Sequence, residues 1–269
     1  MSTLRRCIFL NCTNFNFNNE TSEDHGVIIC SFGSSNDTVD AGSKVEFTLV
    51  NVPNSSRVIR TNSLYKEQLQ IQFSICKNFC ESETDYFSME DQRDIMRWLI
   101  RKDFKYINFE QDGFENVYYN VQIQLEQQRA GSDVVGYNIT CTCDAPWGWS
   151  EEITTPLTAQ SSLLFNGTDE PGIIYPYTIL TVTSGGDISI QNNETGSKTI
   201  VNNCTKGEII TFDEFKHVTT NNKNHSSIYN DFNYVFPEIY CTYSSADNEF
   251  TLVNCTAIMK WREARKVVV

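Results

Sequence analysis

Apolar and polar residues alternate along three long stretches of the first half of the chain. Leu69, Ile71, Phe73 and Ile75 interleave with Gln70, Gln72 and Ser74. Val117, Tyr119, Val121, Ile123 and Leu125 interleave with Tyr118, Asn120, Gln122 and Gln124. Val135, Tyr137, Ile139, Cys141 and Cys143 interleave with Gly136, Asn138, Thr140 and Thr142. A period of two sends successive side chains to opposite faces, so each stretch predicts a strand with one face on a core. Val45, Phe47 and Leu49 form a shorter run of the same kind. Asp112-Gly113, between Tyr106–Phe109 and the Val117 strand, is a turn dipeptide favoured in hairpins.

One segment follows a different period. Ile95, Met96, Leu99 and Ile100 recur at helical spacing. Ser88 precedes them as a candidate N-cap, with Glu90 and Asp91 in the first turn and Arg93, Arg97, Arg101 and Lys102 later. That order of charges suits the helix dipole and predicts an amphipathic helix of about four turns, packed on a sheet.

After Asp144-Ala145-Pro146-Trp147-Gly148-Trp149 the texture changes. Residues 150–162 are polar, contain Pro156 and lack a clean period, which reads as a linker. Short strands then alternate with turns: Thr178–Thr183, the Ser184–Asp187 turn, Ile188–Gln191, the Asn192–Gly196 turn, Glu238–Tyr243, the Ala246–Asn248 turn and Glu249–Val253. A last alternating run joins Cys255, Ala257, Met259 and Trp261. The expectation is a mainly β chain. Residues 1–150 form one domain, a β-sandwich or split barrel with one amphipathic helix. Residues 151–269 hold a linker and an antiparallel sandwich of jelly-roll type.

Charge narrows the function. The net charge of −13 is shared evenly, −7 on residues 1–150 and −6 on residues 151–269. No basic stripe is present to neutralise phosphates, so tight nucleic-acid binding is not expected. No run of about 18 apolar residues exists to cross a bilayer. Cys7-Ile8-Phe9-Leu10, after Arg5-Arg6, is shorter than the roughly 7–15 apolar residues of a signal peptide, so a cytosolic product is expected. Ten cysteines and the sequons at Asn11, Asn19, Asn36, Asn54, Asn138, Asn166, Asn193, Asn203, Asn224 and Asn254 superficially suggest a secreted, disulfide-stapled glycoprotein. An Asn-rich chain makes sequons by chance, and one this long needs no staples, so reduced, buried thiols are favoured.

No catalytic motif stands out: the chain has no GxSxG elbow, Walker A loop or GxGxxG turn. His25, His217 and His225 lie in polar, turn-like stretches without ligand spacing, and surface positions are expected for all three. Cys76 and Cys80, or Cys141 and Cys143, could begin a zinc knuckle, but the latter pair shares the apolar face of a strand and reads as core. Asp213 and Glu214 are adjacent acids, which says nothing about the spatial separation a glycosidase needs. Trp147, Trp149 and Trp261 could stack on sugars. Trp261 sits on an apolar strand face, and the other two suit a domain junction better. The expectation is no catalytic, cofactor-binding or metal site, and no enzyme.

The order of these features carries a resemblance. The opening Phe15-Asn16-Phe17-Asn18-Asn19-Glu20 through His25-Gly26-Val27-Ile28-Ile29 is similar to that of siphophage distal tail proteins, the Dit family. So is the charged run Asp91–Arg97 into Trp98-Leu99. Tyr106–Phe109, Asp112-Gly113, Tyr118-Tyr119, Val134–Tyr137 and the Asp-x-Pro-aromatic junction at Asp144–Trp149 follow in the family's order. Near the end, Phe236-Pro237-Glu238-Ile239 and the strand through Met259-Lys260-Trp261-Arg262 also resemble it. Asn18-Asn19 stands where many members have an Asn-Gly turn, which leaves that turn's type open.

The resemblance implies a structural virion protein at the distal tip of a long non-contractile tail, made in the host cytoplasm. Its N-terminal domain would build a homohexameric ring, and a galectin-like C-terminal sandwich would radiate outwards. Tail tube and tape-measure proteins would lie above it, the tail-associated lysin or fibre hub below, and receptor-binding adsorption proteins at its periphery. DNA would pass through without specific binding, and no membrane insertion is implied. The chain has no room for the large carbohydrate-binding insertions of expanded members, so receptor binding is not carried over. The alternative is a carbohydrate-binding module or adhesin acting through the C-terminal sandwich.

Overall fold

The computed structural model describes residues 14–32, 42–54, 56–78, 84–114, 116–158, 162–242 and 246–267. The chain divides into two compact units. The described residues up to Trp149, with Lys266 and Val267, form the first, and Ser150–Arg265 form the second.

The first unit is built on one antiparallel sheet. Its strands run in the order Glu20–Thr21, Phe15–Phe17, Lys105–Phe109, Tyr118–Ala130, Asp133–Cys143, Gln70–Lys77 and Val27–Cys30. The three long alternating stretches are its centre, paired so that Ile71 faces Cys141, Phe73 faces Ile139 and Ile123 faces Cys141 from the other side. Their apolar faces are buried in a single core.

The two edges of this sheet are joined by only Ser22–Gly26, a 3-10 turn through Glu23–His25. A connection that short cannot span an open seven-stranded sheet. The sheet therefore curls until its edges nearly meet, which makes it a split barrel. Ser22 is fully buried at the seam. Its backbone N–H donates to the Phe15 carbonyl (2.8 Å), its carbonyl accepts from Val27 N–H (3.0 Å), and its Oγ accepts from Phe15 N–H (3.2 Å). The turn before it contains Asn18 and Asn19 with φ of 54° and 65°, between paired Phe17 and Glu20. Both central residues are left-handed, as a type I′ hairpin turn requires, and Asn tolerates that region without Gly.

Gly136 marks a close approach within the sheet. A Cβ there would lie 2.6 Å from the Ile75 carbonyl oxygen and 2.1 Å from the Phe32 ring. The ring can turn aside, but the carbonyl belongs to the paired strand. Gly136→Ala is expected to destabilise the first unit by about 1–3 kcal/mol, the usual cost of overpacking. A urea titration showing an unchanged midpoint would refute this.

The expected helix is Met89–Leu99, α1. Ile95, Trp98 and Leu99 are buried in the same core. Its start is a closed capping box: the Asp91 N–H donates to Ser88 Oγ (3.2 Å), and Asp91 Oδ2 accepts from Ser88 N–H (2.8 Å). Lys77 Nζ sits 2.8 Å from the same carboxylate oxygen. Burial pushes the Asp91 carboxyl upward, but Lys77 and the Ser88 bonds outweigh it and hold the group below the ordinary aspartate value. A depressed native pKa stabilises the fold above the unfolded value, and the gain is lost as pH falls through the native one. Ser88→Ala is therefore expected to cost about 1 kcal/mol at neutral pH. The difference between wild type and variant should shrink on acidification below the ordinary carboxylate range. A gap that stays constant down to strong acid would exclude the capping box as its source.

The second unit is an antiparallel sandwich. One sheet orders Ile153–Leu157, Cys255–Trp261, Tyr177–Val182, Ile209–Phe212 and Val218–Thr220; the other orders Ser162–Asn166, Ala246–Val253, Gly186–Asn192 and Lys198–Cys204. Leu180, Phe212, Met259 and Trp261 from the first share a core with Ile190, Val201, Phe250 and Leu252 from the second. A single helical turn, Ile228–Asp231, adds to the one helix expected from sequence.

Three sequence expectations are corrected here. The stretch 150–162 is no plain linker, because Ile153–Leu157 pairs along Cys255–Trp261 with Leu157 buried. Pro156 is tolerated since this is an edge strand, where a missing N–H breaks no ladder. Ala246–Asn248 opens a strand instead of forming a turn. Asn248 is fully buried, accepts from Tyr240 N–H and donates to the Tyr240 carbonyl (2.8 and 2.9 Å), so its amide imitates a neighbouring strand. Finally, Lys266 and Val267 group with the first unit, where the Val267 carbonyl accepts from Tyr119 Oη (3.0 Å).

Candidate functional site

Val45–Asn51 and Val58–Tyr65 form a two-stranded ribbon that pairs with no other strand among the described residues. The alternating Val45, Phe47 and Leu49 had implied a face on a core. The structure leaves that face open and the other one too: Val45, Phe47, Leu49, Val50, Val58, Ile59 and Leu64, spread over both sides of the ribbon, are each 43–56% exposed. Alternation reports amphipathicity and is silent on what covers the apolar side. The returning strand has no alternation and gave no sequence signal.

The ribbon is fixed at its root. Lys66 N–H donates to the Lys44 carbonyl (2.8 Å), Ser43 Oγ donates to the Pro146 carbonyl (3.3 Å), and the Tyr65 and Trp147 rings meet edge to face at 5.4 Å. Trp147 in turn meets Trp149 at 6.1 Å, and Trp149 Nε1 donates to Asp144 Oδ1 (3.2 Å). Asp144 Oδ2 accepts from Asn120 (2.6 Å), which ties the turn back to the sheet. The two tryptophans pack on the ribbon's root within the first unit, and both are half-buried. Trp261 is a buried member of the sandwich core.

A second exposed apolar surface lies on α1, where Met89, Met96 and Ile100 border a shallow groove with Gln92, Arg93 and Arg97. Its opposite face carries the buried residues.

The chemistry-bearing residues are scattered. Cys141 and Cys143 are buried in the barrel, and burial pushes both thiols up, Cys143 to about 12. The seven described cysteines are all free thiols, and Cys80 lies outside the described residues. Asp213 is occupied in its own turn, accepting from Phe215 N–H (3.0 Å), His217 N–H (2.8 Å) and the His217 ring (2.8 Å). No described helix is long and apolar enough to cross a membrane.

The histidine expectation holds for His217 and fails for the other two. His25 is half-buried and stacks on Trp98 with centroids 3.9 Å apart, while its Nε2 lies 2.9 Å from Glu20. His225 is 5% exposed, with Nδ1 2.7 Å from Glu208 Oε1 and Nε2 3.2 Å from Asp231 Oδ2. Glu208 is itself buried. Burial raises its pKa, but bonds from Thr220 Oγ1 (2.7 Å), Thr205 N–H (2.9 Å), Asn222 Nδ2 (3.1 Å) and His225 outweigh this and bring it to about 2. Sequence gave no sign of this cluster, because its members come from three segments: the turn holding Thr205 and Glu208, the stretch holding Thr220, Asn222 and His225, and the helical turn ending at Asp231.

This architecture, a split barrel with one helix followed by a β-sandwich, is a known one. The crystal structure of the Dit protein (gp 19.1) of phage SPP1, described as a paradigm of the hub adsorption apparatus in phages infecting Gram-positive bacteria, superposes with a TM-score of 0.63. The match covers 93% of this chain and 98% of that one at 13% identity, so the likeness is one of fold. The chain belongs to a phage tail protein family: the model of its N-terminal domain matches residues 10–145 and that of its C-terminal domain residues 147–261. It is thus a phage tail protein and a component of the virion. No curated protein matches the chain.

Proposed function

We propose that this chain is the structural hub of the distal tip of a long non-contractile tail, assembled as a homohexameric ring. The observation that carries the reading is the ribbon Val45–Tyr65. An isolated two-stranded hairpin is marginally stable in water, and seven exposed apolar side chains on one demand a partner surface. A ring supplies that surface from the next copy. Family membership and the fold shared with SPP1 Dit support the same placement.

In this reading residues 1–150 build the ring and residues 151–269 form the peripheral sandwich. Tail tube and tape-measure proteins contact one side, the lysin or fibre hub the other, and adsorption proteins the rim. The role is structural and not catalytic. A net charge of −13 suits a conduit, because an acidic wall does not hold passing DNA. Multi-angle light scattering and negative-stain averages of the purified chain should show six-fold rings. Monomers persisting at high concentration would overturn the proposal.

A further inference from the structure

The buried cluster in the second unit has a chemistry that assembly does not use. Cys204 closes the strand Lys198–Cys204, Glu208 ends the following turn, and His225 ends a short 3-10 turn. One ligand atom from each, a thiol sulfur, a carboxylate oxygen and a ring nitrogen, lies within 4.8 Å of the other two, and all three residues are buried. We propose that Cys204, Glu208 and His225 bind a zinc-class divalent transition metal ion, with Asp231 orienting the histidine. The sequence reading assigned no metal, because Cys204, Glu208 and His225 fit no familiar ligand spacing.

The geometry around His225 makes the case. Asp231 Oδ2, 3.2 Å from Nε2, is an acceptor and holds the proton on that nitrogen. Nδ1 then points at Glu208 Oε1 across 2.7 Å. At that distance the pair is joined by a hydrogen bond, and a metal ion that takes the proton's place must spread the two atoms to about 3.3 Å, the separation of two tetrahedral ligands. A carboxylate on the far nitrogen of a ligating histidine is the usual outer arrangement of such sites. Glu208 is likewise held from outside by Thr205, Thr220 and Asn222. The Cys204 thiol donates to the Val201 and Asn202 carbonyls (3.5 and 3.6 Å), weak sulfur bonds that it would give up on losing its proton to a metal ion.

The mixed sulfur, nitrogen and oxygen set selects the ion. Thiolate and imidazole favour zinc or cobalt, and both disfavour calcium and magnesium. Three protein ligands leave a fourth position to water, because the second carboxylate oxygen of Glu208 already accepts from Thr205 and Asn222. Loading forms metal–sulfur, metal–nitrogen and metal–oxygen bonds. It releases the thiol proton and the proton bridging Nδ1 and Oε1, so a dication enters as two protons leave.

Cobalt chloride titrated into the full-length, chelator-treated and reduced chain is the test. A thiolate-to-cobalt charge-transfer band should grow to saturation at one ion per chain and vanish in Cys204→Ser. Zinc chloride should bleach the band and raise the Tm by about 5–10 °C at saturating excess, a shift that His225→Gln abolishes. The native chain decides the matter even if a variant misfolds: no band, or no zinc-dependent Tm shift, overturns the site. A band undiminished in a folded Cys204→Ser variant would place the metal on other thiols and overturn it equally.

Discussion

Replacing Phe47, Leu49 and Ile59 together with Thr should abolish assembly while leaving the chain folded. Each of these side chains is at least half exposed, so the substitutions remove little packing from the isolated chain, and surface changes of this kind usually stay within about 0.5 kcal/mol. Thr keeps the β-preference of the ribbon. In a ring the same side chains would be covered by the neighbouring copy, and each fully covered apolar group contributes about 1.5–3 kcal/mol. About half of each is already covered in the isolated chain, so losing three from every interface costs about 2–4 kcal/mol, roughly thirty- to a thousandfold in the association constant at each of the ring's contacts. Sedimentation velocity alongside circular dichroism separates the outcomes. A triple variant that still sediments as the native assembly would remove the ribbon from the interface.

The second large effect is expected at Trp98. The ring is stacked between Phe15, at 5.4 Å and 18°, and His25, at 3.9 Å and 16°, with Phe17 edge-on at 6.4 Å. Its Nε1 donates to the Phe17 carbonyl (3.4 Å). Trp98 thus pins α1 to the opening hairpin, and through it to the seam where the barrel's edges meet. Trp98→Ala should destabilise the first unit by about 3–5 kcal/mol, from lost burial plus the cavity left behind. Trp98→Phe keeps much of the stack and should cost distinctly less. Chemical denaturation of both variants is the measurement, and equal losses would show that the aromatic stack is not what holds the helix.

These two sites differ in how far sequence could reveal them. The helical period named Ile95 and Leu99, which are buried, but also Met96 and Ile100, which are exposed, and it did not single out Trp98. The ribbon was half legible: its first strand alternates, but its exposure could not be foreseen, because a strand's pattern does not say whether a core exists to meet it. His225 was misjudged for a related reason. Polar residues around it, among them Asn222, Asn224, Ser226 and Ser227, look like a solvated turn. Yet Asn222 is consumed in capping the turn and bonding a buried carboxylate, and of these only Asn224, Ser226 and Ser227 face solvent.

The sequence by itself determined the local elements. Period-two alternation gave the barrel's central strands, Ser88 with Asp91 began the helix, Cys255–Trp261 closed the sandwich, and the order of motifs carried the family. All of these are fixed by interactions within a few residues, or by the simple choice of burying one face. The tertiary structure alone decided which apolar faces are covered, that the barrel's edges meet across Ser22, and that Glu208, His225, Asp231 and Cys204 share one buried point. Those outcomes depend on pairings between residues far apart along the chain, and no local pattern encodes the partner.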